Sequence, residues 1–223
     1  MKPWLWLGFA AVLFALGGCA KPAPPYDYTA FTRSKPRSIL VLPPLNSSPE
    51  VKAGHGVLAQ VAFPLAESGY YVFPVAVVEE TFVNNGLTQA DDIHAVSLEK
   101  LYDIFRADAV LYLHVREYGT RYQVVVSDTR VTLDGRLVDL RSGEQLWNGT
   151  ATASSTEQHG TNQGGLAGLL AQALVEQIVH SVADTTYDIA GMADNRLLHA
   201  GRSHGLLYGP RSPLYGTDSG QAK

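Results

Sequence analysis

Gly201-Arg202-Ser203-His204-Gly205 sets a serine hydroxyl between two glycines in the G-x-S-x-G spacing of a hydrolase nucleophile elbow. Such an elbow needs a buried strand before the serine and a helix after it. It also needs an acid and then a histidine further along the chain to activate the hydroxyl. Here Asp194-Asn195-Arg196 comes before the serine, Leu206-Leu207-Tyr208-Gly209-Pro210 follows, and no histidine occurs after His204. A glycine loop explains these residues better than a Ser203 nucleophile. The seven histidines are His55, His94, His114, His159, His180, His199 and His204. None belongs to an H-E-x-x-H pair, and no two share the spacing that puts metal ligands on one helical face. Gly160 to Gly168 could turn backbone N–H groups toward a phosphate, but no Lys-Ser/Thr follows. Glu79, Glu80, Asp91, Asp92 and Glu117 show no spacing that singles out an acid/base pair. The expectation is a protein without catalytic residues, metal or bound cofactor.

The remaining reactive group is Cys19, the sole cysteine. Lys2 supplies a positive charge, an apolar stretch runs from Leu5 to Leu16, and no charged residue occurs from Pro3 to Ala20. That is the layout of a secretory signal peptide over residues 1–18, an uncleaved membrane helix being the alternative. Leu16-Gly17-Gly18-Cys19 resembles the bacterial lipobox. In that motif small residues admit the backbone to a peptidase and the cysteine carries diacylglycerol and palmitate. With no second thiol an intramolecular disulfide is excluded, so stability must come from an ordinary core. Each acyl chain contributes about 0.8 kcal/mol per buried methylene. By the usual sorting pattern of such lipoproteins, Ala20 after the cysteine, rather than Asp, points to the outer membrane, on its periplasmic side.

A formal net charge of −4 and basic residues scattered without a stripe leave no electrostatic footprint for nucleic acid. Residues 19–37 read as a lipidated N-terminus and proline-rich tether, with Pro22, Pro24, Pro25 and Pro36. Extended at ~3.1 Å per residue, Ala20 to Arg37 would reach about 55 Å. Of its aromatics, Phe31 is expected to dock on the domain, and Tyr26 and Tyr28 are not.

Residues 38–199 carry the pattern of one α/β domain with a mixed sheet. Ser38 to Leu42, closed by Pro43-Pro44, fits a strand buried on both faces. Ala53 to Ser68 has apolar positions at helical spacing, with a kink expected at Pro64. Tyr70 to Phe73 reads as a strand and Val75 to Val83 as a helix, while Ser97 caps another helix to about Arg106. Ala109 to Tyr118, Tyr122 to Leu140 and Gln145 to Ser155 read as strands, the last two joined by a hairpin over Leu140 to Glu144. Leu166, Leu169, Leu170, Ala173, Leu174, Ile178 and Val182 share one helical face, and a further helix is expected from Thr185 to Leu198. Residues 200–223 form a Gly/Pro-rich tail, expected to be irregular and disordered from Thr217.

Ile39-Leu40-Val41-Leu42-Pro43-Pro44 and Leu137 to Gly149, ending Leu146-Trp147-Asn148-Gly149, resemble a domain of envelope lipoproteins. It is shared by the curli secretion channel, the lipoprotein activators of penicillin-binding proteins and the N-terminal domain of TolB. Tyr70 to Pro74, Ala107 to Tyr112 and the tail Leu207 to Gly216 resemble more closely a bacterial lipoprotein family typified by a neisserial vaccine-candidate antigen. The resemblance implies a single α/β domain similar to the TolB N-terminal domain and no established enzyme activity. It also implies partners among envelope lipoproteins, one of them similar to the curli channel, with a homodimer as a further expectation. No family catalytic motif carries over. Tyr208, Arg211 and Tyr215 are the candidate interface residues, because exposed Tyr and Arg anchor binding surfaces. The expected role is a non-catalytic, lipid-anchored accessory of a secretion or transport assembly. Alternatives are a channel subunit, with Tyr122 to Leu133 as its candidate lipid-facing strand, and an envelope hydrolase.

Overall fold

The computed structural model describes residues 26–122, 127–159 and 182–218. Its elements in chain order are α1 (Thr29–Ser34), β1 (Ser38–Val41), β2 (Leu45–Asn46), α2 (Ala53–Leu58), α3 (Ala62–Glu67), β3 (Tyr71–Val72), α4 (Val75–Asn84), α5 (Ala90–His94), α6 (Leu98–Phe105), β4 (Ala109–Tyr122), β5 (Ser127–Asp139), β6 (Gln145–Ser154), α7 (Ser155–His159) and α8 (Val182–Leu198). The sheet runs β3-β1-β4-β5-β6, with β2 also paired to β4. The pairs β1–β3, β1–β4 and β2–β4 are parallel, and β4–β5–β6 is an antiparallel meander. This is the mixed α/β sheet that the sequence pattern indicates.

β1 is apolar on both faces because both are covered. Ile39 and Val41 enter one core with Ala109, Leu111, Leu113, Val115, Leu133 and residues of α2, α3 and α8. Leu40 and Leu42 enter the other, with Val78 and Phe82 of α4, Ile93 of α5 and Leu101 of α6. Ser97 caps α6 as expected, its hydroxyl accepting from the Lys100 N–H at 3.3 Å. At the β5–β6 turn Gly143 adopts φ 74°, and Asp139 accepts from the N–H groups of Arg141 and Ser142 at 2.9 and 2.8 Å. Burial works to raise the pKa of Asp139, but these bonds and one from the Ser34 hydroxyl hold it below the usual value.

The 53–68 region is not one kinked helix. It breaks at residues 59–61 into α2 and α3, and Pro64 is the third residue of α3. A continuous helix would drive the Pro64 ring into the carbonyl of Gln60. Restarting the helix at Ala62 places the proline where a missing N–H costs nothing. Short elements at Leu45–Asn46 and Ala90–His94 had no periodicity long enough to announce them. The expected Leu166–Val182 helix lies outside the described residues, apart from Val182, and so do the signal peptide and Cys19.

The tether is shorter than its composition suggests. Phe31 is buried as expected, yet Tyr26 and Tyr28 dock as well. The Tyr26 hydroxyl donates to Asn148 Oδ1 and accepts from the Asn148 N–H, both at 2.9 Å, and the Tyr28 hydroxyl donates to the Gly205 carbonyl at 2.5 Å. Burial, with Tyr26 and Asp218 nearby, pushes the Tyr28 phenol up to about 12. The tail is likewise part of the body. Gly209 and Arg211 donate backbone N–H groups to the carbonyls of Ser68 and Gly69 at 2.8 and 3.1 Å. Leu206 and Leu207 are buried, and the Asp218 carboxylate accepts from the Tyr208 N–H at 2.8 Å. Disorder from Thr217 is therefore incorrect for Thr217 and Asp218, because side-chain and backbone bonds hold both. Gly209 lets two segments of the chain cross: a Cβ there would lie 2.6 Å from the Gly69 carbonyl oxygen.

The segment weighed as a lipid-facing strand is also reassigned. From Ser127 onward it belongs to β5, paired with β4 throughout and with β6 from Arg130, and Val131 and Leu133 are fully buried.

One contact joins hairpin, helix and tail. Gly135 and Gly149 stand opposite each other on β5 and β6, and the buried Trp147 ring lies across them. Its Nε1–H donates to the His204 carbonyl at 2.9 Å, while Leu197 of α8 packs against Gly135. A methyl group at Gly149 would sit 2.4 Å from Trp147 Cζ2. Gly149→Ala is therefore expected to destabilise the fold by about 1–3 kcal/mol, read as a lower urea midpoint. Gly86→Ala, at an open glycine of positive φ, separates this packing cost from backbone strain alone.

Candidate protein-binding surface

The three tail residues singled out by the sequence fall on two surfaces. Tyr208 is half-buried against Gly201 and lines a cavity of about 670 Å³ with Tyr26, Tyr28, Arg202, His204 and Asp218. It therefore closes the seat of the N-terminal strap. Arg211 points to the other side, where its guanidinium lies 5.6 Å from the Tyr71 ring centre and donates to the Arg37 carbonyl at 3.4 Å. Tyr71 in turn meets Phe73 edge-on at 5.1 Å. This gives a solvent-facing ridge at the β3 edge of the sheet, with a cation on an aromatic ring that is 44% exposed. Tyr215 and Leu214 stay exposed on the tail turn, at 40% and 47%. The structure thus joins Arg211 to Tyr71, a residue the sequence reading had placed only in a strand.

Ser203 sits in an exposed turn after α8, so a helix rather than a strand precedes it. Among the described residues no hydrogen bond joins Ser203 to a histidine or a carboxylate. His204 has φ 58° and uses its carbonyl for Trp147, and His199 Nδ1 meets the Ala200 carbonyl at 2.8 Å. The glycines from Gly160 to Gly168 lie outside the described residues. Among the described residues no three His, Cys, Asp or Glu side chains gather as a metal-ligand set.

Two histidines that the sequence keeps apart line one concavity. His94 of α5 and His114 of β4 flank Tyr112, at one end of a concavity on the sheet face. His94 Nε2 faces the Pro43 carbonyl at 2.9 Å, and its ring stands edge-on to Tyr112 at 5.2 Å. His114 Nε2 faces the Ser47 hydroxyl at 2.7 Å. Burial pulls the His94 pKa down, outweighing the Pro43 carbonyl and Asp91.

Asp194 on α8 is the buried charge that sequence reasoning did not reach. It has no exposed surface, and among the described residues neither carboxyl oxygen has a hydrogen-bond partner. Desolvation therefore pushes its pKa well above the carboxylate range. Its signal in the sequence is its place on the α8 face of Ala190, Ala193 and Leu197, all buried.

A family profile described as "Putative lipoprotein GNA1162-like" matches residues 26–211. The chain belongs to this family of GNA1162-like lipoproteins. The match begins at Tyr26, where the strap docks, and ends at Arg211, so strap, body and the first half of the tail are shared as one unit. A lipoprotein of Neisseria meningitidis serogroup B, NMB1124/NMB1162, is 54% identical over 212 residues, 95% of this chain and 97% of that protein. The crystal structure of lipoprotein GNA1162 from Neisseria meningitidis matches with a TM-score of 0.52 at 55% identity, covering 66% of this chain and all of that one. The PelC dodecamer from Paraburkholderia phytofirmans is similar with a TM-score of 0.42 at 14% identity, over 72% of this chain and 86% of that one.

The raised pKa of Asp194 has a definite sign in stability. Above the ordinary value of 3.8 the unfolded chain gives up a proton that the folded chain keeps. Stability is therefore fully present at low pH and is lost as pH rises toward the folded pKa, by up to about 1.4 kcal/mol per pH unit. Asp194→Asn, nearly isosteric and neutral throughout, is expected to raise the melting temperature at pH 7.5 and to show little difference at pH 4. Melting curves across that range check it. A gap that does not change with pH would show that Asp194 is ionised when folded.

Proposed function

We propose that the protein is a lipid-anchored, non-catalytic accessory of the outer membrane that faces the periplasm and binds other envelope proteins. Membership of a lipoprotein family supports the anchor, and the lipobox-like Leu16-Gly17-Gly18-Cys19 supports Cys19 as its attachment residue. The observation that carries the binding role is the Arg211–Tyr71 ridge. A cation already seated on an exposed ring presents the residue types that dominate binding energy, at little ordering cost.

The docked strap governs how this surface is held. Because Tyr26 is fixed on Asn148, only the chain from Cys19 to Tyr26 links the body to its anchor. Seven residues span no more than about 25 Å. The domain therefore rides close to the bilayer, with the Tyr26 end inward, and not at the end of a 55 Å tether. Partners are envelope proteins that a body held this way can reach.

Two measurements on the full chain test this. Cys19→Ser should abolish palmitate incorporation and move a folded protein into the soluble fraction; label retained by that variant would refute the anchor. Mild crosslinking in intact envelopes should capture a reproducible set of proteins that Arg211→Ala with Tyr71→Ala reduces several-fold. Recovery of the wild type alone would refute the binding role.

A further inference from the structure

The two faces of the antiparallel meander are treated differently. One is covered along its length by α2, α3, α8 and the tail. On the other, α4, α5 and α6 cover β1 and the beginning of β4, where Val110 and Val138 are buried, and their cover ends at Tyr112, which His94 of α5 meets. Beyond that point the sheet carries polar rows aligned across three strands. Tyr112, Arg136 and Asn148 stand opposite one another, and so do His114, Asp134 and Thr150, then Glu117, Thr132 and Thr152. The first two rows floor a concavity of about 450 Å³.

The second and third rows are internally satisfied. Asp134 accepts from Arg116 at 2.5 Å and from Thr150 at 2.8 Å. These bonds outweigh burial and hold the carboxyl below its usual pKa, so Asp134 is charged and paired. Thr132 bonds to both Glu117 and Thr152, at 3.2 and 3.0 Å. The first row differs. The Arg136 guanidinium lies 4.5 Å from the Tyr112 ring centre, and among the described residues it has no hydrogen bond and no carboxylate partner. The contact seats the guanidinium over the ring while its N–H groups stay unpaired among the described residues, where they can receive a carboxylate through two parallel bonds. Tyr112 is fixed in turn by His94, and Asn148 by Tyr26. Of the charged side chains around the concavity, Arg116 and Asp134 cancel, which leaves Arg136 as its net charge, positive on a chain of formal charge −4.

We propose that this concavity is a binding site for an acidic peptide segment of a partner protein, with a Glu or Asp carboxylate held on the edge of Arg136 and Asn148 and Thr150 bounding the segment. The assignment rests on the binding role proposed above. Charge complementarity selects the occupant: a preset, unpaired guanidinium between neutral polar side chains fits a single carboxylate. Uncharged strand neighbours such as Asn148 and Thr150 fit an extended chain.

The test titrates the full-length protein in detergent with a fluorescein-labelled hexaglutamate peptide, read by anisotropy, against hexaglutamine, trigalacturonate and inorganic phosphate. Hexaglutamate is expected to bind and hexaglutamine not to. Arg136→Gln should weaken binding at least ten-fold and Arg136→Lys nearly as much, since a point charge lacks the fork. Arg106→Gln, at a cation just after α6 and outside the concavity, should leave it unchanged. Because Arg136 is exposed, unchanged melting curves will show that the variants fold. Binding that both Arg136 variants leave intact, no binding at all, or trigalacturonate or phosphate competing as well as hexaglutamate would each overturn the peptide site. The proposed binding role fails separately. If wild type and Arg136→Gln capture the same envelope proteins, the role stands without this site. If neither captures any while hexaglutamate still binds through Arg136, the site stands without the role.

Discussion

The rest of the fold depends on how an indole is buried inside a three-stranded antiparallel meander. A pleated strand has little room for a tryptophan directly above its neighbours, and this chain makes the room by placing glycines opposite each other at Gly135 and Gly149. The slot lets Trp147 lie flat against the sheet. Its indole nitrogen must then find an acceptor. That acceptor is the His204 carbonyl, which ties the tail to the hairpin, while Leu197 closes over Gly135 from α8. Three segments distant in sequence therefore converge on one ring. The Leu-Trp ending of the hairpin is a packing device, and the residues around it can vary only as far as that ring permits.

The same economy explains the strap and tail. With 46% hydrophobic residues and no disulfide, the body must exclude water at the ends of its sheet with whatever chain lies nearby. α1 supplies Phe31 and the tail supplies Leu206 and Leu207, both segments rich in prolines or glycines that compositional reasoning assigns to linkers. Gly and Pro at these places preset turns and allow close backbone approach. Gly209 against Gly69 is the clearest case. Composition is blind to this because a glycine that permits a crossing and a glycine that loosens a loop are the same letter.

What could be read beforehand follows from this. β1, β4, β5, β6, the hairpin turn, α4 and α6 were legible because each carries a local rule: two-sided burial, a positive-φ glycine, a serine cap. The mixed sheet was legible from their order. The break at Ala59–Val61 was only half legible, since Pro64 announced a disruption but its cost falls on the carbonyl four residues earlier. Tyr26 and Tyr28 were misread because their partners, Asn148 and Gly205, are remote in sequence. Of the three tail residues proposed for an interface, Arg211 was placed on an exposed aromatic, Tyr208 went into the strap seat, and Tyr215 stayed on an exposed turn.

The open sheet face was missed for a different reason. The first half of β4 reads as largely apolar, since Ala109, Val110, Leu111, Leu113 and Val115 stand against only Tyr112 and His114. The information lay in the phase and not in the fraction: after Val110 every second residue turns polar, at Tyr112 and His114, and β5 does the same at Arg136 and Asp134. An antiparallel sheet can leave such a face to water, and two of the three rows are what solvation alone would produce, with each charge or hydroxyl answered by a neighbour. Selection for solubility gives no reason to fix a guanidinium on a ring, because a mobile, hydrated arginine serves equally well and keeps its rotamer entropy. Arg136 gives up some of that freedom to Tyr112 without gaining a counter-ion among the described residues. A cation held in place with its donors unanswered is therefore better accounted for by something that arrives than by anything already present.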